Sequence, residues 1–220
     1  MSRMFILAVL ASILAGGTAD AAVVDGTPAR QQLVYKVHHS RYGTLGTYTN
    51  TIERNGDTTN IATVARLSVS ILGISFFSQT ISRLETWRGN RIVGFHGVTT
   101  TNGQTVELSG KAEGDHFAMT TPLGTLIAPA DVRFANPWSR EAIEGETMLT
   151  PDRGRLEMVM LSGTEPEMLT IGGRSLRTEH LEVLRGGGPR RYEVWLDEQG
   201  IPVQFSLVSP DNAITFTLGG

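Results

Sequence analysis

The chain of 220 residues contains no cysteine. This absence excludes a disulfide framework, a thiolate metal site and a cysteine nucleophile. The chain also lacks a positive surplus, because 19 lysine and arginine residues stand against 22 acidic residues, for a net charge of −3. Nucleic-acid-binding domains usually carry a basic excess, so we expect no nucleic-acid partner. A hydrophobic content of 40% is enough for the core of one globular domain.

The apolar run near the N-terminus, from Met4 to Ala15, is shorter than the ~20 residues that span a bilayer. A small-x-small pattern follows at Ala19-Asp20-Ala21, where signal peptidase would cleave. We therefore predict a signal peptide over residues 1–21, no transmembrane segment after cleavage, and an N-terminal extension over residues 22–30. The predicted location is the bacterial periplasm or the extracellular medium.

Beyond residue 30, short runs with alternating polarity or β-branched enrichment take the place of helical periodicity. In one such run, Leu33, Tyr35 and Val37 are predicted to share a face. Hairpin signals such as Asn102-Gly103 separate the runs. We predict a single all-β domain over residues 31–220. It is an antiparallel meander of about ten to thirteen strands, curled into a barrel or half-barrel because a flat meander leaves unpaired edges.

One segment departs from the meander pattern. Asn136 and Pro137 have the residue types that favour a helix cap and the first helical position. The sequence therefore predicts a short helical turn over residues 136–142. This turn is expected to act as a plug or lid between two groups of strands.

The strongest apolar feature runs from Leu67 to Phe77, where large apolar residues first alternate with serine and then cluster. Gly73 is expected to bend the strand at a barrel corner. Two interpretations remain open for this segment, the lining of a ligand cavity and a dry, packed core. The candidate cavity residues are Ile71, Leu72, Ile74 and Phe76.

A polar group follows on the next predicted strand. By alternation, Arg83, Glu85 and Trp87 share one face. If that face is the barrel interior, the carboxylate needs a partner such as Arg83, and the group is suited to orienting a ligand in an apolar cavity. The alternative is an exposed Glu85 that pairs with an arginine across strands. His96 and Trp138 complete the set of candidate ligand-binding residues.

Signatures of known catalytic and metal sites are missing from the sequence. It has neither a G-x-S-x-G nucleophile elbow nor an H-E-x-x-H zinc motif, and the five histidines show no ligand spacing. We predict no metal and no cofactor, and we assign no catalytic residue. If the protein is an enzyme, Glu85, His96 and His116 form its pool of acid–base groups.

Four short motifs resemble a known family. They are Gly43-Thr44-Leu45-Gly46, Glu85-Thr86-Trp87-Arg88-Gly89, Asn136-Pro137-Trp138 and the hairpin Trp195-Leu196-Asp197-Glu198-Gln199-Gly200-Ile201-Pro202. Together they resemble an uncharacterised family of secreted bacterial β-rich proteins, a domain of unknown function. Its architecture is distantly similar to the half-barrels of lipoprotein carriers. The resemblance covers about residues 32–219, and it implies a fold and a location but no chemistry.

These observations lead to one functional hypothesis and two alternatives. The hypothesis is a secreted or periplasmic binding protein for a hydrophobic small molecule or lipid. The first alternative is a barrel enzyme that acts on a lipophilic or carbohydrate substrate. The second is a non-catalytic envelope module that pairs a sheet edge with an unknown protein partner.

Overall fold

The computed structural model describes residues 29–186 and 191–219. The predicted signal peptide lies outside the described residues, as does the predicted extension up to residue 28. Ala29 and Arg30, the last two residues of that extension, already belong to the first strand. The described part of the chain contains no helix that is long and apolar enough to cross a membrane.

Fifteen β-strands and their connections make up the described chain, which contains no helix. The strands are β1 Ala29–His39, β2 Gly43–Asn55, β3 Thr58–Ile71, β4 Ile74–Arg88, β5 Arg91–Thr101, β6 Gln104–Glu113, β7 His116–Thr121, β8 Gly124–Pro129, β9 Arg133–Phe134, β10 Thr147–Thr150, β11 Arg155–Ile171, β12 Arg174–Arg185, β13 Arg191–Leu196, β14 Pro202–Ser209 and β15 Asn212–Leu218.

All the strands belong to one sheet in the order β8-β7-β6-β5-β4-β3-β2-β1-β15-β14-β13-β12-β11-β10-β9. Neighbouring strands pair antiparallel, except that β9 and β10 are parallel. Strand β1 pairs with β15, so the first and the last strand are neighbours in the middle of the sheet. The predicted all-β antiparallel meander is confirmed, but the sheet is not closed, since β8 and β9 form its two edges.

Period-2 alternation decides which side chains face the inside of the curled sheet. On β1, Leu33, Tyr35 and Val37 are buried while Val34, Lys36 and His38 are exposed. The same alternation on β4 buries the face that carries Arg83, Glu85 and Trp87. Side chains of these two strands and their neighbours form the main hydrophobic core of the concave face.

The segment between β9 and β10, residues 135–146, lies on this concave face, and we call it the crossing segment. Its entry is anchored by Phe134, whose ring stacks on Phe95 of β5 with a centroid separation of 4.6 Å. The predicted helical turn over residues 136–142 is absent. Asn136 does not cap a helix, because its amide group is bonded to side chains of the sheet. A single turn forms slightly later, where the backbone N–H groups of Ile143 and Glu144 donate to the Arg140 carbonyl.

Gly73 does not bend a strand, in contrast to the prediction. Leu72 and Gly73 instead form the two-residue turn between β3 and β4, with φ angles of 53° and 81°. Two successive positive φ angles are typical of a tight hairpin turn. The apolar cluster around Gly73 is therefore the tip of a hairpin.

The strand pattern differs from the prediction in two further places. Strand β11 is continuous, whereas the residue pattern favours two separate strands, over residues 155–161 and 167–171. A bulge between Ser162 and Thr164 accommodates Gly163, which has a φ of 71°. Strands β8, β9 and β10 were not predicted, because they are short and lack a long alternating pattern.

Candidate functional site

A row of polar side chains crosses the otherwise apolar concave face. Asn50 on β2 is the cross-strand neighbour of Thr63 on β3, which in turn is the neighbour of Arg83 on β4. All three are buried. Thr63 donates a hydrogen bond of 2.7 Å to the Asn50 side-chain oxygen. Polar groups in such a position require partners, because an unpaired buried donor or acceptor is costly.

Asn136 of the crossing segment connects to this row. Its Oδ1 accepts hydrogen bonds from the Tyr48 hydroxyl at 2.7 Å and from Asn50 Nδ2 at 2.9 Å. Its Nδ2 donates to Thr63 Oγ1 at 3.2 Å and to Glu85 Oε1 at 2.7 Å. One amide group therefore fastens the crossing segment to strands β2, β3 and β4.

Glu85 is fully buried, with an exposed fraction of 0%. Its second oxygen, Oε2, accepts a 3.0 Å hydrogen bond from Trp87 Nε1, so both carboxyl oxygens have a partner. Burial raises the pKa of Glu85 to about 7, although the hydrogen bonds from Asn136 and Trp87 and the charge of Arg83 act in the opposite direction. The sequence left open whether Glu85 lies inside or on the surface, and the structure places it inside.

Two cavities flank this polar network. The larger cavity has a volume of about 740 Å³ and lies at the end of the sheet where the β1–β2, β3–β4 and β14–β15 turns meet. Its wall is mainly apolar and aromatic, with Leu67, Ile81, Phe205 and Phe216 among the lining residues. Binding pockets for small molecules commonly measure about 300–1,000 Å³ and have such walls.

The smaller cavity, of about 540 Å³, lies at the opposite end of the same strands, near the β4–β5 and β13–β14 turns. Trp87 and Trp138 line it, and their rings meet edge to face with a centroid separation of 5.7 Å. Arg140 and Glu141 give this cavity a more polar wall. Glu85 lines neither cavity.

The nine candidate ligand-binding residues fall into four groups. The larger cavity is lined by Ile71, Phe76 and Arg83, and the smaller one by Trp87 and Trp138. Glu85 lies between them, in the polar network. The structure places the other three, Leu72, Ile74 and His96, outside both cavities.

The physical reason for these three placements is local. Leu72 is 97% exposed because it occupies the hairpin turn, and Ile74, next to that turn, is 63% exposed. His96 follows Phe95 on β5 and therefore points to the convex face, where its Nδ1 lies 3.9 Å from Glu107 Oε1. Leu72, Ile74 and His96 therefore do not contribute to the lining of these two cavities.

The proposed acid–base pool does not assemble. Glu85 is buried in the concave face, whereas His96 is exposed on the convex face. His116 pairs with Asp115 and Glu113 near the β6–β7 turn. General acid–base catalysis needs such groups within hydrogen-bond reach of one reacting atom. The arrangement therefore offers no support for the enzyme alternative based on these three residues.

A cluster that sequence reasoning missed joins His180 and Glu182 of β12 with Glu193 of β13, within the described part of the chain. Cross-strand pairing of Glu182 with Glu193 creates it, and a pattern within one strand could not have revealed it. Arg191 forms ion pairs with Glu193 at 2.5 Å and with Glu182 at 3.9 Å. The guanidinium balances the two carboxylates, so their proximity is explained without a metal ion.

Sequence reasoning also missed most of the wall of the larger cavity. Strands β14 and β15 contribute Phe205, Leu207 and Phe216, for example, and these lie far along the chain from β3 and β4. Alternation along β14 and β15 shows only which side chains of one strand share a face. It contained no information on which strands these residues would face.

The open, curled sheet with a segment across its concave face defines a β-barrel-like protein. Its fold is similar to the crystal structure of a beta-barrel-like protein of domain of unknown function DUF1849 from Brucella abortus, with a TM-score of 0.65 and 12% sequence identity. The similarity covers 88% of this chain and 96% of that chain. A comparison with curated proteins gives no match.

The chain belongs to the family described as Domain of unknown function (DUF6134), whose model matches residues 35–219. The predicted membership of an uncharacterised β-rich family is thereby confirmed. The matched range begins at Tyr35 and includes almost all of the described sheet.

Proposed function

We propose that the protein binds a hydrophobic small molecule or lipid in the larger cavity. The observation that carries this proposal is the 740 Å³ cavity itself, which opens at one end of the sheet and has a mainly apolar wall. A curled sheet of this size has enough apolar side chains to fill its interior. Here the crossing segment and the polar network around Asn136 stop short of that end, so a space remains.

The energetics allow such binding. Burial of a twelve-carbon chain at about 0.8 kcal/mol per CH₂ gives about 10 kcal/mol before costs. The loss of translational and rotational freedom removes at least about 4 kcal/mol. The remainder is at most about 6 kcal/mol, which corresponds to a dissociation constant of about 40 μM or weaker, and longer chains should bind more tightly.

The predicted signal peptide supports a periplasmic or extracellular location, where a carrier of poorly soluble molecules is useful. A chain of 220 residues can bury a core that is stable without disulfides, which agrees with the absence of cysteine. We therefore propose a secreted binding protein.

The test starts with the protein purified from a periplasmic extract. Native mass spectrometry should reveal an adduct that organic solvent extracts as lipid, and delipidated protein should bind dodecanol in calorimetry. A protein that carries no adduct and binds neither dodecanol nor dodecanoate would contradict the proposal.

Two variants of the β3–β4 hairpin provide a matched comparison. Phe77 is partly buried and lines the cavity, whereas Leu72 lies in the turn outside it. Phe77→Asp introduces a charge into the apolar wall and should weaken dodecanol binding by about tenfold or more. Leu72→Asp should leave the affinity unchanged. Equal effects of the two substitutions would place the ligand elsewhere.

A further inference from the structure

Arg83 is a buried cation without a counter-ion in the described chain. Its side chain lines the larger cavity, yet the residue is only 7% exposed. It donates one long hydrogen bond, 3.4 Å from Nη2 to Thr99 Oγ1, and its Nε has no hydrogen-bond partner. Arginine remains protonated in proteins, so this guanidinium cannot escape the cost of burial by losing its charge.

Glu85 does not supply the missing counter-ion. It lies two residues further along the same face of β4, but its oxygens accept their hydrogen bonds from Asn136 and Trp87. No ion pair joins Glu85 to Arg83 in the described part of the chain. Because burial raises the pKa of Glu85 to about 7, a large fraction of this group is uncharged at neutral pH.

The structure also makes room for this guanidinium. Gly97 is the cross-strand neighbour of Arg83 on β5. A Cβ atom at Gly97 would lie 3.1 Å from Arg83 Cγ and 2.8 Å from the ring of Phe95. The absence of a side chain at this position lets the Arg83 side chain lie along the concave face beside Phe95.

The cavity as a whole is positively charged, although the protein has a net charge of −3. Besides Arg83, four arginines line it, and they face one aspartate and one glutamate, Asp152 and Glu157. The four are Arg153, Arg155, Arg185 and Arg191. Arg185 pairs with Glu157, Arg153 lies 3.5 Å from Asp152, and Arg191 pairs with Glu193 and Glu182. Arg155 has no ion pair in the described part of the chain. The positive surplus of the cavity therefore consists of exposed Arg155 at the mouth and Arg83 at the buried end.

From this geometry we infer that the ligand is an anionic amphiphile whose carboxylate or phosphate group binds Arg83 while its apolar chain fills the cavity. This inference rests on the proposed function and specifies its ligand. The planar guanidinium offers paired N–H donors that match the two oxygens of such a group. Tyr48, which also lines the cavity, lies beside Arg83 and adds a polar group at the same end.

The experiment compares three twelve-carbon ligands that differ only in the head group. Dodecanoate, dodecyl phosphate and dodecanol are titrated by calorimetry, below their micelle concentrations, into the delipidated full-length mature protein. We expect at least one of the anionic ligands to bind the unmodified protein about tenfold or more tightly than dodecanol, because a charge-assisted, bidentate contact is available to it alone. Whichever anion binds more tightly identifies the head group as a carboxylate or a phosphate.

Variants then locate the contact. Arg83→Met should remove the preference for the anion and leave dodecanol binding intact, whereas Arg83→Lys should retain part of the preference. Arg155→Met is the matched control, because Arg155 is an exposed arginine at the mouth of the same cavity. It should change the preference by less than about threefold, as expected for a solvent-screened charge.

The outcomes separate this inference from the proposed function. Equal binding of dodecanol and both anions by the unmodified protein would overturn the anionic head group and leave the apolar cavity in place. A preference that survives in Arg83→Met but vanishes in Arg155→Met would also overturn it, since the anion would then sit at the mouth. Absence of binding by all three ligands would overturn both proposals. If Arg83→Met does not fold, the comparison of the three ligands in the unmodified protein still tests whether an anionic head group is preferred.

Discussion

The substitution Glu85→Gln tests how the polar network depends on pH. Glu85 is 0% exposed, and burial raises its pKa to about 7, well above the ordinary value of 4.5 that it regains on unfolding. Between pH 4.5 and about pH 7, Glu85 holds a proton in the folded protein and releases it in the unfolded chain. The free energy of unfolding therefore falls as the pH rises through this window, and the contribution is lost above the folded pKa.

The size of the effect follows from the shift. One pKa unit corresponds to about 1.4 kcal/mol, so the Glu85 carboxyl group should reduce the stability by about 2–3 kcal/mol between pH 5 and pH 8. Glutamine keeps the shape of the side chain and cannot ionise. Its amide nitrogen replaces one of the two carboxyl oxygens that accept hydrogen bonds from Trp87 and Asn136. The lost hydrogen bond lowers the free energy of unfolding of the variant by about 1–3 kcal/mol at every pH.

Urea unfolding at pH 5, 6, 7 and 8 measures this difference for both proteins. The stability of Glu85→Gln relative to the unmodified protein should improve by about 2–3 kcal/mol from pH 5 to pH 8. Contributions from all other groups cancel in the comparison. A constant difference between Glu85→Gln and the unmodified protein across this pH range would refute the reasoning.

Four further substitutions test the turn, the packing and the polar network, each by chemical denaturation. Leu72→Asn should stabilise the protein by about 0.5–1 kcal/mol, because asparagine tolerates the φ of 53° at this exposed turn better than leucine; a loss of stability would contradict this. Gly97→Ala should destabilise by about 1–3 kcal/mol through overlap with Phe95. Gly94→Ala on the same strand has its nearest neighbour at 3.6 Å and should be nearly neutral. Asn136→Ala should lower the free energy of unfolding by about 3 kcal/mol or more, since it leaves several buried groups unpaired. A loss below about 1 kcal/mol would show that the network does not anchor the crossing segment.

The polar face of β4 could be predicted because strand alternation is a local property. Successive side chains point to opposite sides, so Arg83, Glu85 and Trp87 share a face in any strand that includes them. The same rule placed Leu33, Tyr35 and Val37 together, and the structure confirms both groups. Alternation left open whether the β4 face was inside, because that depends on what covers it.

The role of Asn136 was not predictable in this way. Its sequence context, with proline next to it, favours a helix start. In the structure its amide is bonded to Asn50 and Glu85, which lie 86 and 51 positions earlier in the chain. Together with the hydrogen bonds to Tyr48 and Thr63, these contacts satisfy four polar partner groups. They outweigh the local preference for a helical turn. The apolar tip of the β3–β4 hairpin was misjudged for a similar reason, since composition does not distinguish a turn from a strand that bends.

The sequence by itself determined the strand-rich character of the domain, its family membership and the shared face of the residues on β4, since each depends on neighbours along the chain. The tertiary structure alone decided that the sheet stays open, that a cavity remains at one end, and that Arg83 lies in its wall together with arginines from β11 to β13. Curling and long-range pairing, as between β1 and β15, bring together residues from opposite ends of the chain. These contacts between distant residues cannot be predicted from a local sequence pattern, because they depend on the register and twist of the whole sheet.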